Sequence, residues 1–261
     1  MDKPIGIFDS GLGGLTVLKE VRNVLPFENI VYFGDTKRVP YGSKSKEDII
    51  KYTFEAIDFL ISKNVKVIVI ACNTATAISL DLAQKKYDIP IIGVIKSGSK
   101  SVVSKTKNKV VGVIGTTATI NSNSYVENIK ELDKSIKVFQ KACPLFVPIV
   151  EEGFSKTDVA KETAKIYLKD LINKDIDTLV LGCTHYPLLK DSIKYVVGEK
   201  INLVDPAKET SITLRDVLIK KNILNKKSKN GICEYFVSDN PEKFSLIAKD
   251  LLGIEDIKVF G

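Results

Sequence analysis

Short apolar runs alternate with segments of helical period from one end of the chain to the other, and no other feature limits the possible fold as strongly. The runs in VKVIVIA and IDTLVLG are apolar at every position instead of every second one. Strands apolar on both faces and separated by helices belong in parallel sheets covered on both sides. Strands are expected at 5–9, 30–34, 65–70, 91–95, 110–115, 136–140, 178–181, 201–204, 233–237 and 257–260. Helices are expected within SGLGGLTVLKEV and over 46–62, 74–86, 122–132, 156–173, 187–197, 207–220 and 241–252. The expected class is α/β. Ligands of such sheets gather at the carboxyl ends of the strands, so the residues just beyond each strand are the ones to inspect.

The chain has 261 residues, enough for two small domains at about 150 residues each. With 44% hydrophobic and 27% charged residues it has ordinary globular composition, which excludes a disordered or collagenous chain. No run approaches the ~18 apolar residues of a membrane span. The start, MDKPIGIFDSG, lacks a signal peptide's basic and apolar segments, so a cytoplasmic location is expected and no membrane partner. Of 39 basic residues only Arg22, Arg38 and Arg215 are arginines, and the lysines are scattered. The net charge of +7 therefore reads as a solvated lysine-rich surface, and no nucleic-acid partner is expected. Four cysteines without a CxxC, beside one histidine, argue against a zinc site.

A weak internal repeat appears at the strand ends. VKVIVIACNTATA and IDTLVLGCTHYPLL each give an apolar strand, a cysteine, a threonine within two residues and then a helix; IGIFDSG and VGVIGTT also correspond. Two similar α/β halves account for this, each presenting one cysteine, Cys72 or Cys183. A helix N-terminus beside a thiol favours its ionisation. Cys143 and Cys233 lack that setting and read as structural. Neither CNTATAISL nor CTHYPLL carries the arginine a phosphatase loop needs. His185, two residues beyond Cys183, is placed to tune it. Asp9 and Ser10 end the first strand and Asp35 follows the second; helix capping competes with ligand binding as their role. Asn73, Thr74, Thr116, Thr117 and Thr119 offer neutral donors for a carboxylate, and the turn at Tyr41–Gly42 a backbone one. Glu151 and Glu152 lie between expected elements. GLGGL fails the dinucleotide fingerprint, because the third glycine would fall on Thr16. Two thiols facing each other across a cleft could remove a proton from one face of a carbon and return one on the other.

The motifs IGIFDSGLGGLTVL, YFGDTKRVPYG, ACNTATA and LGCTHYPLL, in this order, resemble the bacterial glutamate racemases of the aspartate/glutamate racemase superfamily. The resemblance implies two pseudo-symmetric parallel-sheet α/β domains with the active site in the cleft between them. It implies Cys72 as the thiol acting on D-glutamate and Cys183 as the one acting on L-glutamate. Asp9, Glu151 and His185 would assist proton transfer, with Glu152 the alternative to Glu151. Asp9, Ser10, Tyr41, Gly42, Asn73, Thr74, Thr184 and His185 would bind substrate, joined by Thr116 and Thr119 from the residue reading. The resemblance further implies no cofactor and no metal, a homodimer, and a product that enters peptidoglycan. Aspartate in place of glutamate, or a lobe-closing module that binds without catalysis, stays open. The strand count divides the chain into 1–95 plus 207–261 and 96–206, with crossings near Lys96 and Pro206 as expected hinges.

Overall fold

A computed structural model describes residues 3–227, 229–255 and 257–261. The chain begins with β1 (Ile5–Asp9), α1 (Leu15–Val24), β2 (Ile30–Gly34), α2 (Lys46–Ser62), β3 (Val67–Ile70), α3 (Asn73–Lys86), β4 (Ile91–Gly93) and α4 (Val94–Lys105). It continues through β5 (Val110–Gly115), α5 (Thr117–Asn121), α6 (Ser124–Leu132), β6 (Lys137–Ala142), α7 (Phe146–Glu151) and α8 (Asp158–Ile172). Then follow β7 (Thr178–Gly182), α9 (Lys190–Val197), β8 (Asn202–Val204), α10 (Pro206–Lys220), β9 (Cys233–Val237), α11 (Pro241–Leu252) and β10 (Val259–Phe260).

The strands form two parallel sheets, ordered β10-β9-β2-β1-β3-β4 and β6-β5-β7-β8. The quartet β2-β1-β3-β4 repeats as β6-β5-β7-β8, so the two halves share one order, as the sequence repeat implies. Both sheets are covered on both faces. Ile5, Ile7, Val67 and Val69 face the side of α1 and α10, and Phe8, Ile68 and Ile70 the side of α2 and α3. Burying such side chains contributes roughly 1.5–3 kcal/mol each. The helices α4 and α10 follow the equivalent strands β4 and β8 and pack against each other; α10 also lies on α1, and α4 on α6.

Several expected bounds shift. The strand read at 91–95 ends at Gly93, and Val94 starts helix α4, which sequence reasoning did not anticipate. Its serines and glycine are poor helix formers; the packing of Val94, Ile95 and Val102 holds it instead. Helix α7 was also not expected, its residues lying between the expected elements. Proline there sits in the first turn, where its missing N–H costs nothing. The helix expected over 122–132 is α6, which starts at Ser124 after Asn123, whose φ of 57° separates it from the unexpected α5.

Candidate active site

The parallel register brings the ends of β1, β3, β5 and β7 into line and thereby places the candidate residues. Ala71 N–H donates to Phe8 O and Asp35 N–H to Asp9 O, so Asp9, Asp35 and Cys72 share one edge of the first sheet. Gly115 pairs with Gly182, which puts Thr116 and Cys183 together on the matching edge of the second. The two edges face each other. Ser10, Tyr41, Gly42, Cys72, Asn73, Thr74, Thr116, Cys183, Thr184 and His185 all line one cavity between them, with Val39, Pro40 and Val147 supplying apolar walls.

Cys72 caps the N-terminus of α3, and its Sγ accepts from the Ala75 N–H at 3.5 Å. Burial, and then the charge of Asp9, push its thiol up to about 12; bonds from Ser10 and Ala75 work the other way. Cys72 is therefore a proton carrier at neutral pH. On the opposite edge, His185 Nδ1 lies 3.9 Å from Cys183 Sγ and Nε2 lies 2.6 Å from Glu151 Oε1. Burial opposes the charged imidazole, but its bonds to Cys183 and Glu151 prevail and raise His185 to about 10. The second edge thus presents a fixed imidazolium to its sulfur. Glu151 ends α7 and reaches His185, whereas Glu152 is exposed and pairs at 3.6 Å with Lys243 of α11.

The two edges interlock through polar contacts. Thr184 Oγ1 donates to Asp9 Oδ1 at 3.1 Å, and Gly11 N–H to Asp9 Oδ2 at 3.0 Å. Burial raises the Asp9 carboxyl, although the charge of His185 and these donors restrain the rise. Thr74, Thr116 and Thr119 form a buried triangle of hydroxyls 2.8–3.2 Å apart, joining α3 to the β5–α5 turn. Tyr125 donates to Asn73 Oδ1 at 2.7 Å. Glycine is required at Gly13, where a Cβ would stand 2.4 Å from Thr184 Oγ1 and 2.6 Å from His185 Nδ1. The glycine-rich turn therefore serves close approach of the two sheets.

Three expected residues stand behind the cavity wall. Asp9 and Thr119 are fully buried and bonded to lining residues, and Glu151 touches the site through His185. Tyr41 lines the cavity, yet its hydroxyl donates to Asp35 at 2.6 Å. Thr117, the residue after the α5 cap, is exposed. Sequence reasoning missed Gly13, Tyr125 and the apolar Val39 and Val147, because each matters through a contact distant in sequence. Cys143 is buried in the core, where Tyr186 donates to its carbonyl, and Cys233 sits in β9. Among the described residues no group of three or more His, Cys, Asp and Glu is placed to hold a metal ion, and no helix is long and apolar enough to cross a membrane.

Residues 14–210 match the sequence pattern of the Asp/Glu/hydantoin racemase family. The chain belongs to that family. Its relatives within the Asp/Glu/hydantoin racemases are similar over almost the full length. A glutamate racemase of Thermoanaerobacter sp. (strain X514) is 49% identical over 251 residues, covering 96% of this chain and 94% of the relative. The crystal structure of glutamate racemase isoform RacE1 from Bacillus anthracis superposes with a TM-score of 0.95 at 42% identity, over 98% and 96% of the two chains. That of the Francisella tularensis glutamate racemase in complex with D-glutamate gives 0.92 at 41% identity, over 100% and 97%.

Proposed function

We propose that the chain interconverts L- and D-glutamate by proton transfer between the substrate α-carbon and two thiols, Cys72 and Cys183. The observation that carries this reading is that both cysteines, from equivalent strand ends of the two sheets, line one cavity. Acting on D-glutamate, Cys72 gives its proton to Asp9 and its thiolate takes the α-hydrogen. The carbon flattens, and Cys183 delivers a proton to the opposite face while His185 stabilises the sulfur left behind. L-glutamate follows the reverse course; a D-to-L turnover leaves Cys72 protonated, its first proton on Asp9 and Cys183 as a thiolate, and proton exchange with solvent carries the proton from Asp9 back to Cys183. In the closed site the developing negative charge falls among neutral donors, Ser10, Asn73, Thr74, Thr116 and Thr184, with the Tyr41–Gly42 turn closing one side. Asp9, Glu151 and His185 assist by setting the charge around the two sulfurs.

The relatives support glutamate over aspartate, since one was crystallised with D-glutamate. The same reading makes the chain a cytoplasmic homodimer that supplies D-glutamate for peptidoglycan. It divides the molecule into lobes 1–95 plus 207–261 and 96–206, hinged near Lys96 and Pro206. The test is L-glutamate in heavy water with metal-free enzyme, followed by α-proton NMR and circular dichroism. Both signals should disappear for the wild-type chain. Cys72→Ala and Cys183→Ala should each lower the rate by at least about 10²–10⁴-fold, the range for a lost acid or base. Full activity in either variant would sink the two-thiol mechanism, and aspartate turning over as fast as glutamate would sink the substrate assignment.

A further inference from the structure

Three chain segments that line the catalytic cavity also wall a second cavity outside it. Gly42, Thr74 and Thr116 face the inner space. A few residues farther along the same segments, Lys44, Ala77 and Ala118 face an outer cavity of about 380 Å³, together with Lys46, Asn121 and Ser122. The partition between them is the triangle of Thr74, Thr116 and Thr119 hydroxyls, with the Gly42 backbone so close to Thr116 that a Cβ would come within 2.3 Å of it.

The inner cavity measures about 10 Å³. That is no more than one water-sized sphere, so an amino acid reaches the thiols only after a wall has parted. Of the two hydrogen-bonded walls the hydroxyl partition is the one better suited to part, since among the described residues no ion pair crosses it and separated hydroxyls regain water. The opposite wall holds the His185–Glu151 and Asp9–Thr184 contacts. Charge selects the same side. The cavities beyond Glu151 are lined by four carboxylates, Glu151, Glu152, Asp239 and Asp250, against Lys156 and Lys243. The outer cavity is lined by two lysines and no carboxylate, and among the described residues neither Lys44 nor Lys46 makes an ion pair.

We propose that the cavity between Lys44, Lys46 and Asn121 is the mouth of the active site, through which an anionic amino acid enters and leaves. This rests on the racemase activity proposed above. Glutamate carries a net negative charge at neutral pH, and unpaired lysines at a cleft raise the capture rate of an anion by roughly 10-fold or more, an effect that salt removes.

The experiment measures D-glutamate racemisation by the full chain at low and high sodium chloride. In the double variant Lys44→Glu/Lys46→Glu, kcat/KM should fall about tenfold at low salt, with kcat within about twofold, and recover at high salt. A control pair on the opposite side, Lys156→Glu/Lys249→Glu, should stay within about twofold throughout. Ala118→Trp, which fills the outer cavity, should depress kcat/KM at every salt concentration. A wild-type kcat/KM in Ala118→Trp overturns the mouth; a wild-type value in the lysine variant, or an equal loss in the control pair, overturns its electrostatic capture. If the wild-type chain binds glutamate without racemising it, the racemase reading fails alone, and the same variants are read by the association rate of D-glutamate from NMR line shapes. A chain that neither binds nor racemises glutamate overturns both.

Discussion

His185 shows how one side chain can be tied to folding and to chemistry at once. Its imidazole is buried between Cys183 and Glu151 and holds its proton to about 10, against the usual 6.5. A group whose pKa is raised by folding stabilises the folded state fully below its unfolded value and loses that contribution as pH rises toward the folded one. The stabilisation by His185 is accordingly complete below about pH 6.5 and fades as the pH approaches 10. Urea unfolding of wild type and His185→Gln should differ most near pH 6 and least near pH 10. A constant difference would mean that folding leaves the imidazole pKa where it is in the unfolded chain, and a difference growing with pH would mean that the imidazole is neutral in the folded protein. Cys72 also holds its proton more tightly, but there burial and the Asp9 carboxylate favour the neutral thiol instead of a charged form. The two sulfurs thus occupy equivalent positions in the repeat but unlike electrostatic surroundings.

At the level of elements, the short helix α5 does more than connect. Thr116 caps it by accepting from the Thr119 N–H at 3.2 Å, and the same hydroxyl belongs to the triangle with Thr74 and Thr119. Thr116→Val keeps the shape while removing the cap and two hydroxyl contacts. A loss of about 1–2 kcal/mol is expected in chemical denaturation, from the cap and the orphaned buried hydroxyls together. An unchanged midpoint would show that Thr74 and Thr119 satisfy each other without it. Helix α7 has a comparable double role, since its last residue, Glu151, is the partner of the only histidine in the chain.

Across the whole molecule, chemistry and anchoring occupy opposite ends of the first sheet. At the amino ends of β2 and β3, Lys66 Nζ lies 2.6 Å from Glu28 Oε2, and both side chains are almost completely buried. Glu28 also accepts from the Asn225 N–H, and Lys66 donates to Ile223 O, which fastens the segment after α10 to the first sheet. Removing one partner of a buried pair leaves an uncompensated charge. Lys66→Met should therefore cost about 3–5 kcal/mol in unfolding free energy, with the rate per folded molecule unchanged because the cysteines lie at the carboxyl ends. A matching fall in kcat of the folded fraction would show that the two ends of the sheet are coupled.

Period and composition alone carried the α/β class, nearly every strand and the exceptional standing of Cys72 and Cys183. These are local properties: a strand buried on both faces must be continuously apolar, and a cysteine recurring after two such strands is visible without coordinates. Helix α4 was not legible, because its serine-rich sequence becomes helical only against α10 and α6. The role of GLGGL was equally hidden, since Gly13 is constrained by Thr184 and His185, some 170 positions away. The choice of Glu151 over Glu152 as the carboxylate against His185 required the turn of α7 that points one inward and the other to Lys243. Sequence by itself determined which residue types stand at the strand ends; only the tertiary structure decided which of them meet, because contacts between two sheets depend on how the sheets are docked and not on neighbours along the chain.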